Sequence, residues 1–465
     1  MLPSRRHGVR KPTSLTTHSG REARGLTGGS HVGAKTIVSG TAYKGSLVGG
    51  ISSQFRINPF TGEHLTVRRA QGASIETVDG RTYLDMFMAH GSTVLGHAHP
   101  AVIEAVRDCL NDGIVIGYET GLGEEVAQQI TRVMPSAEAV RFTASGSEAV
   151  SSAMRLARAH TEREFIIKVD GHFNGGSDYA MLNSLWANTD FGNPGGRPSR
   201  PVLSSGGIPR SAAETVIVVP WNDLAALEAA FAAHRGLVAG VIMVPIDFNN
   251  GCITPADGYL AAVRDMTHRE GALLIFDEVL SGFKTGVGGA QTLYGVTPDI
   301  TLLSKALSSG IPLSALCGRR DIMDTLMAPL PRGAIQGGTF AGNIMGLAAA
   351  HATLGILSNP SFYADLLDRA ERFFNDLQAM FDHSNLPAKV QWVGCMFTIY
   401  VGTREPVSRY ADIRALDGEL GKQYFRRCID EGVYFHTDFS ISAAHTERIL
   451  GQVIERMERA TRWPR

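Results

Sequence analysis

The feature that most constrains this chain is a series of short, almost wholly apolar runs separated by helix-length segments. Residues 215–219, 238–244 and 272–276 are rich in branched side chains and show no apolar–polar alternation. Strands of that kind are buried on both faces, which is the signature of a mainly parallel sheet covered by helices. The same rhythm begins earlier. Residues 139–143 read as a strand, 147–160 as a helix and 164–169 as the next strand. Before them, residues 73–85 read as a hairpin turning at Asp79-Gly80, and Pro100 opens an amphipathic helix over 101–110. After Pro360 the pattern becomes helix (362–383), strand (388–401), helix (412–431) and a last helix from Thr446, which predicts a smaller α+β unit. The expected class is therefore α/β, with a large sheet-based domain and a smaller α+β domain.

A chain of 465 residues accommodates two or three domains, or one large α/β unit with attachments. We divide it into a flexible arm (1–40), an N-terminal segment joining the small domain (41–95), a large domain (96–350) and a small C-terminal domain (351–465). The 52 glycines exceed ordinary usage without any repeating period, pointing to tight turns and close backbone approaches. Lys and Arg (44) balance Asp and Glu (45), so no basic excess exists for binding nucleic acid through its phosphates. Five scattered cysteines, none in C-x-x-C spacing, argue for a reducing, cytoplasmic setting and against a zinc site or disulfide framework. The most apolar stretch, 237–246, is too short to cross a membrane. Residues 1–40 are basic, with Glu22 the single acid; they read as a flexible arm or as a transit peptide. Residues 193–207 form a Gly/Pro/Ser-rich loop long enough to cover a substrate.

No G-x-G-x-x-G follows a strand and no G-x-x-x-x-G-K-[ST] occurs, which removes the usual dinucleotide and P-loop readings. Three other elements stand out. Ser145, Gly146 and Ser147 lie where a strand gives way to a helix, where backbone amides and hydroxyls can hold an anion or simply cap the helix. Asp277 ends a buried strand, at the edge where open α/β sheets bind ligands, or else serves as a supporting carboxylate. Lys305 follows another apolar run and precedes a turn of small residues. Burial there would lower its pKa as imine chemistry requires, although a lysine beside a strand can also snorkel to solvent. An anion cradle, a strand-end acid and a downstream lysine together are what a pyridoxal phosphate enzyme needs.

The chain resembles the class III aminotransferases among the fold type I pyridoxal phosphate enzymes, near glutamate-1-semialdehyde aminomutase and related amino-acid aminotransferases. The resemblance runs from about Gly49 to the C-terminus. It is carried by G-A-L-L-I-F-D-E-V-L-S-G-F at 271–283, Y-G-V-T-P-D at 294–299, Lys305 and G-R-R-D at 318–321. V-L-G-H-A-H-P at 94–100, S-G-S-E-A at 145–149, G-G-T-F-A-G-N at 337–343 and D-E-G-V-Y at 430–434 support it.

The resemblance implies roles. Lys305 would form the Schiff base with pyridoxal 5′-phosphate and carry the proton transfers, and Asp277 would pair with the pyridinium nitrogen. Val279 and Phe173 would pack on the two ring faces, Asn249 would reach the phenolic oxygen, and Ser145, Gly146 and Ser147 would hold the phosphate. Gly338 and Thr339 match a segment that in the family reaches the neighbouring subunit's phosphate, implying a homodimer with shared sites. Arg56 and His90 fall at substrate-binding positions, with Arg56 holding a substrate carboxylate.

Departures from the family pattern are informative. Its Tyr-His is Phe173-Asn174 here. Its frequent Glu-Pro is Val244-Pro245, which removes a carboxylate and tells against the usual dicarboxylate acceptor. The aminomutase Trp is replaced by His90, and residues 434–442 are shorter and lack the aminomutase glutamate. The leading expectation is an aminotransferase that takes an amino donor and a keto or aldehyde acceptor in turn. An intramolecular aminomutase is the alternative; a non-catalytic binding subunit is disfavoured by the presence of both Lys305 and Asp277.

Overall fold

The computed structural model describes residues 45–184 and 197–462, which belong to one compact unit. The basic arm at 1–40 and the first part of the 193–207 loop lie outside the described residues. Three sheets organise the rest. The N-terminal strands β1 (Val67–Gln71), β2 (Ser74–Thr77) and β3 (Thr82–Asp85) form an antiparallel meander. The expected hairpin is its second half, with Gly80 at φ 86° in the turn.

The central sheet has seven strands: β4 (Ala139–Thr143), β5 (Phe165–Val169), β6 (Val216–Val219), β7 (Val238–Met243), β8 (Leu273–Glu278), β9 (Ile300–Leu303) and β10 (Ser314–Gly318). Their spatial order is β4-β10-β9-β8-β7-β5-β6. Pairs β5–β6, β5–β7, β7–β8 and β8–β9 are parallel, and β10 alone runs against both its neighbours. Every residue of β6 to β10 is buried, as the continuous apolar runs require. Helices Gly146–Thr161, Leu224–Ala233 and Tyr259–Arg269 supply the crossovers. Each parallel strand therefore ends at the same edge of the sheet, and the loops that follow converge there.

The C-terminal part differs from expectation in two places. Residues 388–401 form not one strand but a hairpin, β11 (Ala388–Val393) and β12 (Met396–Val401), in a three-stranded sheet with β14 (Phe439–Ser440). Gly394 turns the chain at φ 62°, and a Cβ there would overlap the carbonyl of Lys284. Residues 412–431 form two helices, Tyr410–Arg414 and Gly418–Asp430, because Asp417 breaks the run by capping the second through the amides of Glu419 and Leu420. The short β13 (Val433–Tyr434) pairs in parallel with β3, so the first sheet joins both ends of the chain. One apolar core runs from Leu84 and Val94 through Leu303 and Leu313 to Phe374, Phe397 and Met457.

Candidate active site

Side-chain alternation along β8 separates its two terminal acids. Glu278 turns into the packing, where its carboxylate accepts from the amides of Ala290 (2.7 Å) and Gln291 (3.3 Å), from Ser281 Oγ and from Gln291 Nε2. Asp277 faces the other way. Its Oδ1 accepts from the Val279 amide (3.1 Å) and its Oδ2 from Asn174 Nδ2 (2.9 Å). Asn174 is buried, and turning its amide over would set its oxygen against the carboxylate, which fixes the orientation. An amide thus donates to Asp277 from the position of the histidine in the family pattern. Burial raises the Asp277 pKa; the bonds from Asn174 and Val279 and the charge of Lys305 offset only part of that rise.

Lys305 begins the turn Lys305–Ser308 immediately beyond β9, the neighbour of β8. Its backbone is left-handed, at φ 47°, a conformation costly for a residue with a Cβ and typical of functional sites. Burial lowers the Lys305 pKa, against the opposing charges of Asp438 and Asp277. A lysine held in this way has a larger neutral, nucleophilic fraction than a solvated one.

The helix Gly146–Thr161 starts beside these groups. Ser145 is its N-cap, accepting from the Glu148 amide at 3.3 Å, so the capping role weighed for it is present. The amides of Gly146 and Ser147, first in the helix, have no intrahelical acceptor and point out of its positive end. A Cβ on Gly146 would lie 3.2 Å from both methyls of Val279, so glycine lets the helix end pack directly against Val279. Ser147 Oγ accepts from the Gly176 amide at 3.0 Å. That tie joins the helix end to the loop carrying Phe173 and Asn174.

The remaining positions divide into two groups. Phe173 is half-buried and meets Phe55 edge-on at 5.6 Å. Asn249 and His90 come together on a residue that sequence reasoning did not single out, Asp438: Asn249 Nδ2 donates to Oδ1 at 3.1 Å, and His90 Nδ1 lies 2.7 Å from Oδ2. Arg56 ends the exposed turn Gln54–Arg56, and its side chain takes part in no hydrogen bond or ion pair among the described residues, while its charge acts on the buried ring of His436. Gly338 and Thr339 are exposed; the nearest atom to a Cβ on Gly338 would be Glu148 Oε2, at 3.8 Å. Val244, in place of the family's Glu, is buried and donates its amide to His172 Nδ1.

These residues fit pyridoxal 5′-phosphate. Free amides at a helix end that a glycine lets pack closely on Val279 suit its phosphate, and a buried acid lies near a lysine of lowered pKa. If Asn174 tunes Asp277, Asn174→Ala leaves one buried carboxylate oxygen without its donor. Cofactor affinity is then expected to fall about tenfold or more, from a loss of about 1.5–3 kcal/mol. Fluorescence titration of the apoprotein checks this, and unchanged affinity would remove Asn174 from the site.

Comparison with known proteins agrees with this fold and with a pyridoxal phosphate cofactor. An omega-transaminase from Sphaerobacter thermophilus is 27% identical, with a TM-score of 0.81 over 90% of this chain and 94% of that one. A beta-phenylalanine aminotransferase from Variovorax paradoxus is 26% identical, with a TM-score of 0.77 over 89% and 90%. A glutamate-1-semialdehyde aminomutase from Pseudomonas aeruginosa PAO1, 24% identical at a TM-score of 0.75 over 86% and 88%, shares the fold. A family profile, aminotransferase class-III, matches residues 58–457. The chain therefore belongs to the class III aminotransferases, pyridoxal-phosphate-dependent enzymes of fold type I.

Proposed function

We propose that this enzyme transfers an amino group between two separate small molecules, an amino donor and a keto or aldehyde acceptor, with Lys305 as the proton carrier. One observation carries the assignment of roles: buried Asp277 near the end of β8 and half-buried Lys305 just beyond β9 lie at the ends of adjacent parallel strands, where each feels the other's charge. Pyridoxal 5′-phosphate supplies the electrophilic carbonyl and the electron-withdrawing ring on which transamination depends. The chain's own residues do the rest. Asp277, anchored by Asn174, holds a negative charge against the ring nitrogen. Gly146, Ser147 and Ser145 bind the phosphate, Val279 and Phe173 flank the ring, and Asn249 orients it. Lys305, of lowered pKa, takes a proton from the substrate carbon and returns it at the neighbouring position. Arg56 and His90 bind the substrate, and the guanidinium of Arg56, without an ion-pair partner among the described residues, suits a carboxylate.

The same reading includes a homodimer. Ile335 and Phe340, flanking Gly338 and Thr339, are 66% and 58% exposed, an apolar surface that a second copy would cover. It also includes a cytoplasmic setting: all five cysteines are free and four of them are buried. Among the described residues no helix is long and apolar enough to cross a membrane.

The test separates transfer from intramolecular migration. With an amino donor alone, product formation is expected to stop at one equivalent per site and to resume when a keto acid or aldehyde is added. Continuous turnover of a single substrate would establish the aminomutase reading instead.

A further inference from the structure

Asp438 is a buried charge in the cleft that the roles above do not use. It is 2% exposed, and each oxygen has a fixed partner: Oδ2 pairs with His90 Nδ1 at 2.7 Å, Oδ1 accepts from Asn249 Nδ2 at 3.1 Å. Those partners come from distant parts of the chain, His90 after β3 and Asn249 after β7. The backbone bends unusually to deliver the first of them. Met88, Ala89, His90 and Gly91 are all left-handed, at φ 47°, 53°, 57° and 68°. Three of these four carry a Cβ, so the turn is strained and persists only because its surroundings hold it.

Those surroundings are identifiable. The buried ammonium of Lys284 donates to the Gly91 carbonyl, and the turn packs against both β14 and the segment beginning at Lys305. Phe87 meets the His90 ring edge-on at 4.3 Å and stacks on His436 at 4.5 Å. His90 Nε2 makes no hydrogen bond among the described residues, and the side chain is 24% exposed, so this nitrogen is left to the cleft.

We propose that Asp438 is a positioning residue, which orients His90 and Asn249 with its two oxygens and keeps an anion beside Lys305. The inference rests on the aminotransferase reading for the roles of His90 and Asn249, but its electrostatic part concerns Lys305 in any state. Burial pushes the Asp438 carboxyl up, yet the hydrogen bond from His90 and the charges of Lys305 and His90 reverse this, holding it below its ordinary value. It is therefore ionised throughout the neutral range, and its charge holds the Lys305 ammonium up against the burial that lowers it. The other groups bearing on this set are Asp277 and Lys284, which face Lys305; Asp247 and Cys252, which feel Asp438; and His436 with Arg56, which face the His90 side. None of these binds both His90 and Asn249, as Asp438 does.

The sign follows directly. An anion favours the protonated nitrogen of Lys305, so removing it moves protonation to lower pH. In the cofactor-loaded protein, the pH midpoint of the visible absorbance change arising at Lys305 is expected to fall by about 1–2 pH units in Asp438→Asn, the range expected for one close opposite charge. KM for the amino donor rises as His90 loses its orientation. His90→Asn keeps a donor beside Asp438, tolerates the left-handed backbone and retains the anion, so its midpoint is expected to stay near that of the native protein. An unchanged midpoint in Asp438→Asn, or an equal fall in His90→Asn, overturns the proposal. Should Asp438→Asn fail to retain cofactor, competitive acetylation of Lys305 by acetic anhydride in the two apoproteins, followed across pH by mass spectrometry, reads the same quantity. Equal midpoints there overturn it too. A native protein with no such chromophore would sink the aminotransferase reading instead, and the acetylation arm would still decide this one.

Discussion

Lys305→Ala is expected to lower turnover by at least about 10⁴-fold, the upper end of what a positioned acid–base group contributes. The reason is local. Among the described residues no second lysine can take over: Lys284 lies near Lys305, but its ammonium is buried and committed to the Gly91 carbonyl. Lys168 is buried in β5 and donates to the carbonyls of Val169, His172 and Leu182. The alanine variant should still fold, because Lys305 lies at the cleft edge and its side chain makes no hydrogen bond among the described residues. Relief of the left-handed strain is not expected, since alanine also carries a Cβ. Steady-state assays with donor and acceptor present, alongside thermal melts and measurement of cofactor retained after dialysis, check the result. Turnover within about tenfold of the native enzyme would remove Lys305 from the mechanism.

Asp277→Ala is the second large effect, expected at about 10²–10³-fold in turnover, the usual cost of removing a preorganised electrostatic partner. It acts differently from the lysine. Asp277 is 4% exposed, and its loss leaves the Asn174 amide and the Val279 amide without acceptors in a dry site. Cofactor affinity should therefore fall together with rate, whereas Lys305→Ala removes the proton carrier and leaves these anchors in place. Comparing the half-reaction rate at saturating cofactor with the dissociation constant of the cofactor separates the two contributions. A variant with native rate once saturated would reduce Asp277 to an anchor.

Much of this site was legible along the chain. Asp277 and Lys305 each end an apolar run, and such runs become parallel strands whose ends share one edge. Their neighbourhood therefore follows from local pattern plus one topological rule. Gly146 was legible in the same way, as a small residue at a strand-to-helix junction. Asn174 was visible only as a departure from the family pattern. What it compensates became apparent once its amide was seen 2.9 Å from Asp277.

Other features left no local trace. The left-handed turn at Met88–Gly91 carries a single glycine, and nothing in Met-Ala-His announces three residues of positive φ. The hairpin of β11 and β12 reads as one strand because both halves are rich in branched and aromatic residues and Gly394 alone marks the reversal. Asp438 lies in a short segment that as sequence showed only what it lacked.

The chain by itself determined the order of strands and helices, the mainly parallel sheet, and the acid and lysine at its edge, because periodicity and apolar runs act over neighbouring residues. The tertiary structure alone decided that His90, Asn249 and Asp438 meet beside Lys305. Their contact depends on how the turn after β3, the loop after β7 and the segment before β14 are stacked, and on a strained backbone that only the packed surroundings can hold.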